Sequence, residues 1–350
     1  MEERLHRVVA GIEEAIERGE IDGAGLFVVV RGERVLEWYG GQAAPGVGAG
    51  PDILWPLASI SKVFTASTIM ALVERGLLTL SMPIATVLDE LDDEERRAIT
   101  IRHLLTHTAG VPYEAPDIET LLRQRLPLDE LLEVGLDQPL DFVPGTRVGY
   151  SDLGYGILAL VAERVTGRAF ATLVREFVIE PAELTDTWFP LPDSDAVTSR
   201  LAHVVGGLGE GEPWAMYGAA YGLRLAHPAW GVVATLQDLV RFFSHFTPYA
   251  PGRLLSAASV AAMTRRQTPE AFGLPGWGYG FEVGGGYFGE VDLVSPRSFG
   301  HTGATGCAAW YDPEYDLLVA FVSNRHMNTG RQQFVRRIAA VLNGVAAAVT

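Results

Sequence analysis

Apolar runs of strand length sit at both ends of this 350-residue chain, and helical signals fill the stretch between them. Near the start, Ala24 to Arg31 and Arg34 to Tyr39 flank a short Gly32-Glu33 turn, which predicts an antiparallel hairpin. Toward the other end, Gly278 to Val283, Ser298 to His301, Cys307 to Asp312 and Leu317 to Ser323 read as strands, and a helix over Arg331 to Leu342 follows them. Between the two groups, helical patterns cover Ser59 to Arg75, Ile101 to Thr106, Ile118 to Gln124, Leu128 to Gly135, Leu153 to Thr166 and Leu236 to Phe246, broken by Pro and Gly. The expected fold class is therefore α/β of the α+β type, with both ends in one antiparallel sheet. Residues 1–75 and 231–350 would form an α/β domain, residues 76–230 a mostly helical inserted domain, and the active site would lie at their interface. Val205 to Pro228, rich in Gly, Ala and aromatics, is expected to border a pocket.

A formal charge of -16 argues against nucleic acid and against anionic membrane surfaces as partners. The sole cysteine, Cys307, excludes an internal disulfide or a cysteine-based metal cluster, and no cofactor is called for. At the start of the chain, Leu5, Val8, Val9, Ile12 and Ile16 recur at helical spacing in an acidic context, an amphipathic helix rather than a signal peptide. Apolar runs such as Leu26 to Val30 are too short to span a bilayer. The expectation is a cytoplasmic protein acting on a small molecule.

The basic residues carry the sharpest local signal: of 27, only Lys62 is a lysine. Arginine stays protonated, whereas a lysine shielded from water can lose its proton and act as a base. Ser59 lies three residues earlier, on the same face of a helix beginning near Trp55-Pro56-Leu57-Ala58-Ser59. Backbone N–H groups and the dipole at such a start would face a developing oxyanion. Ser59 as a cap and Lys62 as a surface charge is the bland alternative. In Gly149-Tyr150-Ser151-Asp152, Tyr150 can move a proton if an ammonium is near, or can merely pack while Asp152 caps the next helix. His301-Thr302-Gly303-Ala304 lies on a strand where glycine would permit close approach of a substrate and the next N–H could donate to an oxyanion.

In this order, Ser59-Ile60-Ser61-Lys62, Tyr150-Ser151-Asp152 and His301-Thr302-Gly303 resemble the Ser-x-x-Lys, Tyr-x-Asn and Lys-Thr-Gly or His-x-Gly motifs of the serine β-lactamase and penicillin-binding protein family. That family includes class C β-lactamases, DD-peptidases, D-aminopeptidases and esterases. Leu104 to Gly110, Glu180-Pro181, Thr185 to Trp188 and Asp312-Pro313 are similar to scaffold segments of the same family, so the resemblance covers nearly the whole chain. It implies Ser59 as acylated nucleophile, Lys62 and Tyr150 sharing the proton traffic, and the Ser59 and Ala304 N–H groups as oxyanion hole. Asp152, His301, Thr302, Gly303 and Ala304 would contact substrate, and Tyr113 or Glu114, just after the Thr-Ala-Gly segment, would line the cleft. Two departures stand out. Asp152 replaces Asn, which should favour a Lys62 ammonium and shift the base role to Tyr150. His301 replaces a lysine, so an anionic substrate carboxylate is held weakly and β-lactam hydrolysis should be weak or absent.

Competing signals are thinner. His103 and His107 are spaced like helical zinc ligands but lack a partner glutamate and a third ligand. Gly149 to Leu153 misses G-x-S-x-G, and Cys307 reads as a small core residue. The resulting expectation is a serine hydrolase acting through an acyl-enzyme on Ser59, on a small ester or a D-amino-acid-type amide. An acyltransferase using the same intermediate, or a non-catalytic binding protein on the same scaffold, are the alternatives.

Overall fold

The computed structural model describes residues 1–250, 252–273, 275–287 and 291–350. Its framework is an antiparallel sheet of strands drawn from both ends of the chain: β1 (Gly23–Val30), β2 (Glu33–Ala44) and β3 (Val47–Gly48) from the start, β7 (Gly276–Trp277), β8 (Glu282–Val283), β9 (Phe299–Gly303), β10 (Cys307–Asp312) and β11 (Leu317–Ser323) from the end. The order is β3-β2-β1-β11-β10-β9-β8-β7, so β1 and β11 meet in the middle, with Ala24 opposite Ser323 and Val30 opposite Leu317.

Side chains alternate across a strand, and here both faces are covered. Leu26, Val28, Trp310, Val319 and Phe321 point into a core shared with the helices α1 (Glu2–Glu17) and α11 (Arg331–Val349). Phe27, Ala309, Tyr311, Leu318, Ala320 and Val322 point the other way, into the larger core that includes α2 (Ser61–Glu74), α6 (Leu153–Thr166) and α9 (Leu236–Ser244). Burial on both faces explains why β1, β10 and β11 read as continuous apolar runs. On α1, Leu5, Val9, Ile12 and Ala15 form the buried stripe, while Val8 and Ile16, expected on the same face, are half-buried beside it.

The remaining helices, α3 (Ile101–Leu105), α4 (Ile118–Gln124), α5 (Leu128–Leu136), α7 (Phe170–Val174), α8 (Asp195–Thr198) and α10 (Ala257–Thr264), are short. A second, three-stranded sheet joins β4 (Trp55–Pro56), β6 (Val233–Ala234) and β5 (Thr187–Trp188) in the order β4-β6-β5.

Three expectations are revised. The hairpin turn is Arg31-Gly32, with φ of 54° and 79°, one residue earlier than expected, because Val30 pairs with Glu33. Gly278 to Val283 is not one strand: Gly278 N–H bonds to Phe281 O and Gly280 sits at φ 83°, which turns the chain between β7 and β8. Residues 205–228, expected to border a pocket, contribute no side chain to the cavity at Ser59, and Tyr217 within them is buried against Trp230 and His326. No helix among the described residues is long and apolar enough to cross a membrane.

Candidate active site

The candidate nucleophile is placed by a strained turn. β4 is pinned to β6, and Leu57 N–H bonds to Val232 O at 3.0 Å. The chain then passes through Ala58 at φ 47°, a left-handed conformation that a non-glycine residue adopts at a cost of about 1 kcal/mol or more. A single 3-10 turn, Ala58–Ile60, carries Ser59 immediately ahead of α2. The helix expected from Ser59 therefore starts at Ser61, whose hydroxyl accepts from Val232 N–H at 2.9 Å.

Lys62 is fully buried, and its ammonium has three acceptors: Ser59 Oγ at 3.2 Å, Asp152 Oδ1 at 2.5 Å and Ala229 O at 3.2 Å. A buried lysine without them would be neutral. Burial is the larger influence and pulls Lys62 below the ordinary lysine range, while the Asp152 carboxylate pushes it back up. Asp152 thus acts on Lys62 in the expected direction. Burial, and next the same carboxylate, raise Tyr150 well above its usual value, while the hydrogen bond with Ser59 pulls it down. Asp152 therefore favours a Lys62 ammonium and at the same time opposes a Tyr150 phenolate.

Asp152 is free for Lys62 because its neighbour does the capping. Ser151 Oγ accepts from Gly154 N–H at 2.8 Å and donates to Pro112 O at 2.6 Å, and the Asp152 side chain makes no cap. Asp152, for which the resemblance implies a substrate contact, is buried, bonded to Lys62 and not among the residues lining the cavity at Ser59.

A residue read only as scaffold or as half of a zinc pair holds this loop in place. His107, at φ 57°, accepts Ser151 N–H on Nδ1 at 3.1 Å, accepts Gly149 N–H on its carbonyl at 2.8 Å, and stacks on the Tyr150 ring at 4.4 Å. Burial and Lys62 hold it neutral, well below the ordinary histidine range. His103 instead receives Thr100 N–H in a capping box at the start of α3. Among the described residues no group of His, Cys, Asp or Glu could hold a metal ion.

The opposite wall is β9. Gly303 is needed there: a Cβ would lie 2.3 Å from Leu57 O. The close approach expected of a substrate is used by the protein's own backbone, which presses β9 against the nucleophile turn and places Ala304 at the cavity. Thr302 is fixed by Glu282, whose Oε1 accepts from Thr302 N–H at 3.1 Å and Thr302 Oγ1 at 3.0 Å, while Oε2 accepts from Tyr287 N–H at 2.6 Å. His301 donates from Nδ1 to Thr302 O at 2.7 Å, and burial drives its pKa down to about 3, so it is neutral as expected.

Ser59, Tyr113, Tyr150, His301, Thr302 and Ala304 all line one cavity of about 180 Å³, together with Glu282, Tyr287, Met327 and Arg331, which sequence reasoning missed. Tyr113 stands at its mouth, 59% exposed. Lys62, Asp152 and Gly303 support it from behind. A carboxylate within the otherwise apolar and aromatic run 276–283 was the available signal for Glu282. Cys307 is a buried core thiol that burial pushes up to about 11.

A family model described as Beta-lactamase matches residues 8–343. Penicillin-binding protein 4 of Amycolatopsis lactamdurans is 32% identical over 310 residues, 82% of this chain and 75% of that protein. Esterase EstB of Burkholderia gladioli is 32% identical over 200 residues, 52% of this chain and 51% of that protein. Among solved structures, a penicillin-binding protein homologue from Caulobacter crescentus superimposes with a TM-score of 0.76 at 26% identity, covering 97% of each chain.

Proposed function

We propose that this chain, which belongs to the beta-lactamase family, is a serine hydrolase that forms an acyl-enzyme on Ser59 from a small ester or a D-amino-acid-type amide. The observation that carries the reading is the single buried lysine with its Nζ 3.2 Å from the hydroxyl of a serine that opens into a cavity.

Ser59 Oγ attacks the substrate carbonyl carbon and gives its proton to Lys62, whose burial favours the neutral amine. The carbonyl electrons move to oxygen, where the Ser59 and Ala304 N–H groups donate to the oxyanion. As the tetrahedral centre collapses, the bond to the leaving group breaks. Tyr150, held as a phenol, protonates the departing oxygen or nitrogen, and the Lys62 ammonium, 4.7 Å from the Tyr150 ring centroid, offsets the charge left behind. Water then repeats the sequence on the acyl-enzyme, with the proton roles reversed.

The cavity lining holds one carboxylate, Glu282, and one arginine, Arg331, and neutral His301 stands where the family motif has a lysine. This supports esters over β-lactams, and the likeness to EstB points the same way.

The test is intact-mass measurement after a fluorophosphonate, alongside a panel of ester, lactone, D-peptide and β-lactam substrates, in wild type and Ser59→Ala. One adduct in wild type, none in the variant and ester turnover above β-lactam turnover is the expected result. No adduct in wild type would sink the reading.

A further inference from the structure

A cavity of about 650 Å³ lies on the far side of the sheet, in the groove between α1 and α11. The two helices run antiparallel: Arg4 Nη1 bonds to Ala347 O at 2.9 Å, and Arg337 Nη1 reaches Glu20 O at 3.2 Å. Small residues open its floor. Gly11, Ala15, Ala340 and Gly344 line it, and a Cβ on Gly11 would meet nothing within 4 Å. From Arg4 to Arg18 the groove follows α1 for about 21 Å at 1.5 Å per residue.

Its charge runs against that of the molecule. In a chain of net charge -16, five arginines line the groove (Arg4, Arg7, Arg18, Arg336 and Arg337) beside one carboxylate, Glu20. Arg7 pairs with Glu3, and Arg18 with Glu14 and Glu20. Among the described residues no carboxylate lies within ion-pair distance of Arg4, Arg336 or Arg337. Arg337 is the unusual one. It is 8% exposed, its two terminal nitrogens meet only the carbonyls of Glu20 and Arg325, and its Nε is buried without a partner. A guanidinium taken out of water needs an anion or a full set of acceptors. Among the described residues Arg337 has no carboxylate within ion-pair distance and no acceptor for its Nε, while the walls of the groove are apolar over most of their length.

From this geometry we infer that the α1–α11 groove is a binding site for an anionic amphiphile of the fatty-acid class. The carboxylate sits at the end formed by Arg336 and Arg337, and the alkyl chain lies along the small-residue floor toward Arg4. Such a ligand supplies the missing acceptor and fills space that the side chains leave open. The volume falls within the range of small-molecule sites.

Titration calorimetry of the full chain with decanoate, decanol and decyltrimethylammonium, each below its micellar concentration, tests the assignment. Decanoate is expected to bind one per chain, at least tenfold tighter than the alcohol or the cation. Gly11→Leu fills the groove from a position with no clash, so it should keep or raise the melting temperature while weakening decanoate at least tenfold. Arg336→Gln, an exposed change, should weaken decanoate and leave decanol unaltered. Decanol binding as tightly as decanoate would overturn the inference. So would undiminished decanoate binding to folded Gly11→Leu, which would put the fatty acid elsewhere, the catalytic cavity included.

Discussion

Lys62 and Asp152 form a buried ion pair, with Nζ and Oδ1 2.5 Å apart and neither side chain more than 7% exposed. The pair joins α2 to the loop that carries Tyr150, and so ties the nucleophile turn to the residue we assign as proton donor to the leaving group. In such a site the two charges depend on each other more than on water.

Removing one partner should therefore cost more than removing both. Lys62→Met is expected to lower stability by about 3–5 kcal/mol, because Asp152 is left buried and unpaired. Adding Asp152→Asn should restore a large part of it. Urea unfolding of the two single variants and the double variant measures the coupling; additive losses would show that the pair is not a unit. Ester turnover should fall at least about 10³-fold in every variant lacking Lys62. Arginine at this position keeps the charge but not a removable proton, and being larger in a fully buried site it should also destabilise, by about 1–3 kcal/mol.

Asp152→Asn alone should move the acidic limb of the pH profile to lower pH. The carboxylate raises Lys62, so its removal lets burial pull the lysine further down, and the neutral amine is present in more acid solution. The measurement is kcat/KM for a neutral ester against pH, and a limb that stays in place or moves up contradicts the assignment of Lys62 as base.

Stability should peak near pH 6.5. Burial holds His227 and His301 near 3 and His326 near 4, so below the ordinary histidine pKa the unfolded chain binds protons that the folded chain does not, and stability is lost as pH falls. Glu114 acts in the opposite sense. Burial and Asp152 raise it to about 8, so the folded chain keeps a proton that the unfolded chain has released, and stability falls as pH rises toward 8. Each group contributes at most about 1.4 kcal/mol per pH unit. Denaturant midpoints from pH 5 to 8.5 should show this peak, and Glu114→Gln should flatten its alkaline side and steepen its acid side, because Glu114 acts over the whole range from its unfolded pKa to about 8.

Gly303→Ala tests the contact between β9 and the nucleophile turn. Its Cβ would press on Leu57 O, so β9 must move away and Ala304 with it. Turnover should drop about 10²-fold, with KM changed less than kcat. Unchanged kinetics would mean that this wall does not set the oxyanion geometry.

The strands Cys307–Asp312 and Leu317–Ser323 could be read residue for residue from the chain, because burial on both faces leaves a continuous apolar signal. The helix Leu153–Thr166 was equally plain, ending at Gly167 with φ 67°. Short strands were not legible: β7 and β8 hold two residues each and are separated by a turn whose direction depends on Gly280. At the site, Ser59, Lys62, Tyr150 and the β9 residues were marked by composition, spacing and order. His107 was not, since its work rests on a left-handed backbone and on an N–H of Ser151, 44 positions away. Nor could the sequence reveal that Ser151 takes the cap and leaves Asp152 to Lys62.

The pairing of β1 with β11 brings Ala24 against Ser323, nearly the full span of the chain. During synthesis β1 has only β2 for company, and a lone hairpin is marginal in water. The sheet closes only after β11 has left the ribosome. Contacts this distant are slow to form, and they leave apolar strand edges open to other chains while they wait. Ser59 and Lys62 are therefore made, and their helix is free to form, long before the wall that faces them exists.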